Sequence, residues 1–192
     1  MPNYRRAYIP GGTFFFTIVT YGRNPIFANQ AARRILGNVF REAIAQWPMT
    51  VNAIVLLPEH MHMICSLPSG DDGYSKRIGW IKKEFTKRWL DAGGHEAAVS
   101  PSKHKERRRG IWQPRFWEHT IEEDDDFDNH FDYIHWNPVK HGHVECPRDW
   151  SHSSFHRWVK AGVYPEDWGC STKGSVPNGP KSVQAVKDAG EP

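Results

Sequence analysis

Two histidines one residue apart, His60 and His62, sit in the run Leu57-Pro58-Glu59-His60-Met61-His62-Met63-Ile64-Cys65-Ser66-Leu67. Apolar stretches this short, closed here by Pro68-Ser69-Gly70, read as β-strands. Strand side chains alternate between faces, so both imidazoles project from one side, about 7 Å apart along the chain. That separation suits two nitrogen ligands on one metal ion, while Met61, Met63 and Cys65 point the other way, toward a core. In a chain with 11 histidines such spacing also arises by chance, so the pair needs a partner. Tyr133 and Asn137 are four apart in a helical pattern and therefore lie one above the other on one face. They could present a phenol and an amide to the imidazoles. Equally, they could be a core-edge aromatic and a helix-end amide.

The elements that must position these groups follow from periodicity. Thr13 to Thr20 is dense in β-branched and aromatic residues and predicts a strand. Asn29 can cap a helix running to about Trp47, with Ile35, Leu36, Val39, Phe40, Ala43, Ile44 and Trp47 on one face and Pro48 stopping it. Val51–Leu57 is a strand joined to the histidine strand through Pro58-Glu59, a connection short enough for an antiparallel hairpin. A basic helix is predicted over 75–90, its stripe Ile78, Ile81, Phe85 and Trp89. The basic stretch 91–110 has no period, and Ile111–Ile121 predicts an edge strand because of Pro114.

A third helix opens on Glu122, Glu123, Asp124, Asp125 and Asp126, where carboxylates meet the positive end of the dipole. That placement accounts for the acidic cluster without a metal. Phe127, Phe131 and Ile134 form its stripe, and Tyr133 lies roughly 80° round the helix from it. Pro138 should end or kink the helix near Asn137. The order is βαββαβ plus a helix, the α+β ferredoxin-like arrangement with an antiparallel sheet, whose open face leaves room for a site.

The totals narrow the classes. A chain of 192 residues holds one ordinary domain and a tail, and nine Trp, ten Phe and six Tyr can bury much area. We expect a domain over 1–142, an aromatic-rich extension over 143–170 packed on it, and a disordered tail over 171–192. Net charge is +3 and the pI about 8.8, mildly basic. No long apolar run or signal-peptide pattern is present, which points to a soluble cytoplasmic protein. Cys65, Cys146 and Cys170 fit neither a disulfide framework nor a zinc site and are expected as reduced thiols.

Four blocks carry a resemblance: 9–17, His60-Met61-His62, 112–119, and Tyr133-Ile134-His135-Trp136-Asn137-Pro138-Val139-Lys140-His141-Gly142. In order, from about residue 4 to 168, they resemble the REP-associated tyrosine transposases of the HUH superfamily of single-strand DNA nucleases. The resemblance implies His60 and His62 as ligands of a divalent metal, Mg²⁺ or Mn²⁺, and Tyr133 as nucleophile. It puts Asn137 where related insertion-sequence enzymes carry a glutamine that completes the metal site. It further implies, as partner, single-stranded DNA with palindromic hairpins, no membrane and no organic cofactor, and a monomer rather than a dimer.

The residue types suit that chemistry. A metal-bound phosphate can be attacked by a phenol, and the resulting 5′-phosphotyrosine keeps the phosphodiester's energy, so a 3′-OH can rejoin strands. Two imidazoles and an amide do not single out magnesium, so both metals stand. Arg5, Arg6, Lys82, Lys83, Arg107, Arg108, Arg109 and Arg115 are candidates for contact with the DNA backbone. Two other readings remain at this point: a transposase-derived protein that grips palindromic hairpins without catalysis, and a metal-dependent hydrolase in which Tyr133 is structural.

Overall fold

The computed structural model describes residues 8–100 and 109–170, and the predicted tail over 171–192 lies outside them. Its sheet is built from β1 (Thr13–Val19), β2 (Thr50–Leu56), β3 (His60–Ser66) and β4 (Trp117–Ile121), ordered β2-β3-β1-β4 with antiparallel pairings. Helices α1 (Gln30–Gln46) and α2 (Tyr74–Asp91) cover one face, and α3 (Asp124–Lys140) with the short α4 (Phe155–Lys160) covers the other. This is the ferredoxin-like order expected from the sequence.

Period-two alternation sorts the strand residues. Phe14, Phe16 and Ile18 of β1 and Met61, Met63 and Cys65 of β3 pack against Leu36, Val39, Phe40 and Ala43 of α1 and Ile78, Ile81, Phe85 and Trp89 of α2. Phe15, Ala53, Val55 and Ile64 face Phe131 and Ile134 of α3. Asn29 caps α1 as expected, its Oδ1 accepting from the backbone N–H of Ala31 (2.7 Å) and Ala32 (3.3 Å).

Three expectations need correction. Ile111–Ile121 is not one strand: Trp112 makes a single bridge to Thr20, and regular pairing begins only at Trp117. Pro114, which has no N–H to donate, lies in the gap between them. Of the two outcomes expected at Pro138, the ending does not occur: α3 runs on to Lys140 with the proline inside it. It terminates where Gly142 takes a left-handed φ of 69° and His143 N–H closes on the Pro138 carbonyl at 2.9 Å. Finally, Cys146 and Cys170 are joined in a disulfide rather than being reduced thiols. The extension folds back so that its two ends meet, a closure that count and spacing do not reveal. Cys65 is a free thiol, and burial pushes its pKa up to about 12.

The extension also covers the β2 edge. Trp150 and Trp158 donate their indole N–H groups to the carbonyls of Leu56 (3.1 Å) and Asn52 (2.9 Å), and Ser153 bridges Val55. No helix among the described residues is long and apolar enough to cross a membrane.

Candidate active site

The histidine pair is presented by a tightly held hairpin. Leu57 N–H donates to the His60 carbonyl at 2.8 Å, and Thr20 donates to the Glu59 carbonyl through both its N–H (2.9 Å) and its hydroxyl (2.8 Å). His60 and His62 then project from β3 toward α3, each only 3% exposed, with ring centroids 4.8 Å apart. Each ring is held by its Nδ1. His60 Nδ1 donates to the Glu59 carboxylate at 2.8 Å, which leaves the Nε2 lone pair available. His62 Nδ1 is 2.9 Å from Thr17 Oγ1, its register partner on β1. A hydroxyl accepting there selects the tautomer with Nε2 unprotonated.

The electrostatics keep the Glu59 carboxyl ionised and the His62 ring neutral. The hydrogen bond from His60 holds the Glu59 carboxyl down at about 2. Burial, then the positive surroundings of His60, Lys140, His141 and Arg23, holds His62 well below the usual imidazole range and hence neutral. His141 is pulled to about 4, first by burial and then by His60 and Lys140.

Helix α3 lies across this pair. Tyr133 is 5% exposed, its ring edge-on to His62 with centroids 5.3 Å apart. Its hydroxyl accepts from Lys140 Nζ at 3.0 Å, and that ammonium also sits 4.4 Å from the ring centre. An ammonium donor favours negative charge on the oxygen it contacts. One turn beyond Tyr133, Asn137 is fully buried, and neither its Oδ1 nor its Nδ2 has a hydrogen-bond partner among the described residues. One further turn on, the His141 ring is 5.2 Å from that of His60. His130, Tyr133, Asn137 and His141 thus share the stripe that faces the sheet.

The structure therefore brings His60, His62 and Tyr133 together and buries Asn137 on the same stripe. The sequence reading placed Tyr133 at the border of the buried stripe. In fact α3 is covered on both sides, by the sheet and by the extension. Sequence reasoning missed Glu59, Thr17, Lys140 and His141. The i+4 step from Asn137 could have flagged His141, whereas Thr17 follows only from register.

The candidate DNA contacts are dispersed. Arg5, Arg6, Arg107 and Arg108 lie outside the described residues. Lys82 and Lys83 sit on α2, in the layer across the sheet from the histidines. Lys82 donates to the Gln113 carbonyl at 2.7 Å, and Lys83 is exposed. Arg109 pairs with Glu96 at 2.5 Å, and Arg115 is exposed.

Comparison with known proteins identifies the family. A family model described as IS200-like transposase matches residues 12–137. The REP-associated tyrosine transposase of Escherichia coli K12 is 44% identical over 171 residues, covering 88% of this chain and 91% of that one. A Haemophilus influenzae protein named for the same group is 44% identical over 169 residues, covering 88% and 94%. A solved structure of a REP-associated tyrosine transposase bound to a REP hairpin aligns with a TM-score of 0.72 at 40% identity, over 92% of this chain and 96% of that one. With likeness running through the histidine strand and the tyrosine helix alike, the chain belongs to the IS200-like transposases, among their REP-associated tyrosine members.

Proposed function

We propose that this chain cleaves and rejoins single-stranded DNA beside REP hairpins, with Tyr133 as nucleophile and a divalent cation held by His60, His62 and Asn137. One observation supports the reading most: a phenol whose oxygen is held by an ammonium stands against two imidazoles whose Nδ1 atoms are each held by a partner. The donors fit a cation. Leaving both amide atoms of a buried asparagine unpaired costs roughly 1–3 kcal/mol, which coordination or substrate contact at Asn137 would recover. When bound, Mg²⁺ or Mn²⁺ would neutralise the non-bridging oxygens of the scissile phosphate.

The chain's own residues do the rest. The Tyr133 oxygen attacks phosphorus and loses its proton. The bond from phosphorus to the 3′ oxygen breaks, and that oxygen takes up a proton. The products are a 5′-phosphotyrosine and a free 3′-OH, and attack by a 3′-OH reverses the step. Lys140 holds the tyrosine oxygen and balances the charge that develops on it. Glu59 and Thr17 fix the imidazole orientations, so the ligands are preorganised before DNA arrives.

The partner reading rests on the hairpin in the structure of the relative. The backbone-contact roles of Arg5, Arg6, Lys82, Lys83, Arg107, Arg108, Arg109 and Arg115 belong to the same proposal. The test is to incubate end-labelled single-stranded DNA carrying a REP hairpin with the protein and Mn²⁺ or Mg²⁺, then run denaturing gels. A downstream fragment linked to the protein through its 5′ phosphate, beside an upstream fragment with a free 3′-OH, both lost with chelator, supports the reading. Tight hairpin binding without any adduct in either metal would replace it with a non-catalytic binder.

A further inference from the structure

At the other end of the seam between α3 and the sheet, a second set of donors converges that the cleavage chemistry does not use. His119 projects from β4, Asp126 from the first turn of α3 and His130 from the second. One ligating atom from each lies within 4.8 Å of the other two. His119 Nε2 is 2.8 Å from Asp126 Oδ2. His130 Nδ1 is 3.0 Å from Asp126 Oδ1 and 2.8 Å from the Asp126 carbonyl. The two imidazoles are nearly parallel, with centroids 4.8 Å apart. His130 is fully buried, whereas the His119 and Asp126 side chains are 30% and 26% exposed, so the group opens to solvent on one side. Phe15 stands between this group and the first histidine pair, 4.6 Å from the His130 ring and 5.4 Å from the His62 ring.

Tetrahedral ligands 2.0–2.2 Å from an ion are separated from one another by roughly 3.3 Å. The separations here, from 2.8 to at most 4.8 Å, bracket that value. Two imidazoles and a carboxylate on separate turns and strands form a donor set that favours zinc-like ions over magnesium. The acidic run over 122–126 is explained by the helix dipole, but Asp126 is drawn out of it toward the two histidines.

We propose that His119, Asp126 and His130 form a second divalent-metal site, specific for Zn²⁺-class ions, with its fourth position open to water. Its ion clamps the first turns of α3 to β4, and so anchors the helix that carries Tyr133. Without the ion, protons between each imidazole and the carboxylate hold the three groups. Loading moves those protons off the ligating nitrogens, to the other ring nitrogen or to solvent. The proposal stands apart from the cleavage reading, because neither DNA nor activity enters its test.

The test titrates the full-length chain with Zn²⁺ alone, by calorimetry and by metal analysis after desalting. A His60→Ala/His62→Ala background silences the first pair. One equivalent should remain, it should raise the thermal midpoint, and His119→Ala or Asp126→Asn should weaken it by more than about tenfold. Should the background fail to fold by circular dichroism, the same substitutions are made in the unaltered chain and read as loss of its second equivalent. Absence of that equivalent, or binding and a midpoint shift undiminished by His119→Ala and Asp126→Asn, would overturn the site and leave a hydrogen-bonded cluster.

Discussion

The two faces of the sheet are made from the same strands and do opposite work. Toward α1 and α2 the alternating residues are Phe14, Phe16, Ile18, Met61, Met63 and Cys65, a dry layer closed by aliphatic and aromatic stripes. Toward α3 their immediate neighbours are Phe15, Thr17, His60 and His62, so polar donors are buried among aromatics. The dry face gains its stability from area removed from water. The histidine face gives some of that up, because each buried polar group must find a partner, and Asn137 has none among the described residues. A one-residue register slip would exchange the two sets, so the packing of Met61 and Met63 against α1 and α2 also aims the histidines.

The sharpest way to break the comparison is to alter one residue on each face. Tyr133→Phe should abolish the DNA adduct and strand cleavage together, while hairpin affinity and the fold persist. The substitution removes the hydrogen bond from Lys140 and keeps the ring packing. Cleavage persisting without adduct would instead mark a hydrolase. Phe16→Ala, fully buried on the other face, should cost about 3–5 kcal/mol in urea unfolding. Adduct formation well below its melting temperature should stay near the unaltered rate. A Phe16→Ala protein that is stable but inactive would show that the faces are not separable.

A smaller effect tests how the imidazoles are aimed. Thr17→Val keeps the shape of the side chain but removes the oxygen 2.9 Å from His62 Nδ1. It should lower metal affinity or adduct rate by about 10–100-fold. Glu59→Gln should act similarly through His60, with less loss because the amide oxygen can still accept from Nδ1. Calorimetric Mn²⁺ titration and single-turnover adduct formation measure both. No loss from Glu59→Gln would mean that charge at Glu59 adds nothing to orientation, and a loss equal to that of Thr17→Val would mean that an acceptor without charge is not enough.

How much of this was legible in the sequence depended on range. Period two gave the shared face of His60 and His62, and period 3.6 gave α1, α2 and the pairing of Tyr133 with Asn137. These are local patterns, and they hold. The corrections concern long-range events. Nothing near Tyr133 announces that Phe155 and Tyr164 will cover the side of α3 that carries Phe131 and His135, so that Tyr133, placed at the stripe's border, packs on the sheet instead. Pro138 breaks helices in isolation, yet α3 continues past it, and its following turn is closed by His141 N–H on the Asn137 carbonyl at 3.0 Å. The Cys146–Cys170 bond, and the meeting of Asp126 with His119, likewise depend on where distant segments fold back.

The extension side of α3 offers the smallest and most specific test. His135 is fully buried, with Nε2 2.8 Å from Ser154 Oγ and Nδ1 3.2 Å from the Tyr164 hydroxyl, which itself donates to Asp132 at 2.6 Å. Burial pulls the His135 pKa from 6.5 to about 3. The unfolded chain therefore binds a proton that the folded chain refuses between those values. Stability from His135 is complete above pH 6.5 and is lost as pH falls toward 3. Asp132 has the opposite sign: burial raises its pKa above 3.8, so it favours the folded state as pH drops and offsets part of the His135 effect. Between pH 6.5 and 5 His135 contributes a slope of at most about 1.4 kcal/mol per pH unit, beside any from other buried histidines. Urea midpoints at pH 7 and pH 5 should differ less in His135→Phe than in the unaltered chain, although the variant is the less stable of the two at pH 7. An unchanged difference would assign the acid sensitivity to His62, His130 and His141, which burial also keeps neutral on the sheet side of the same helix.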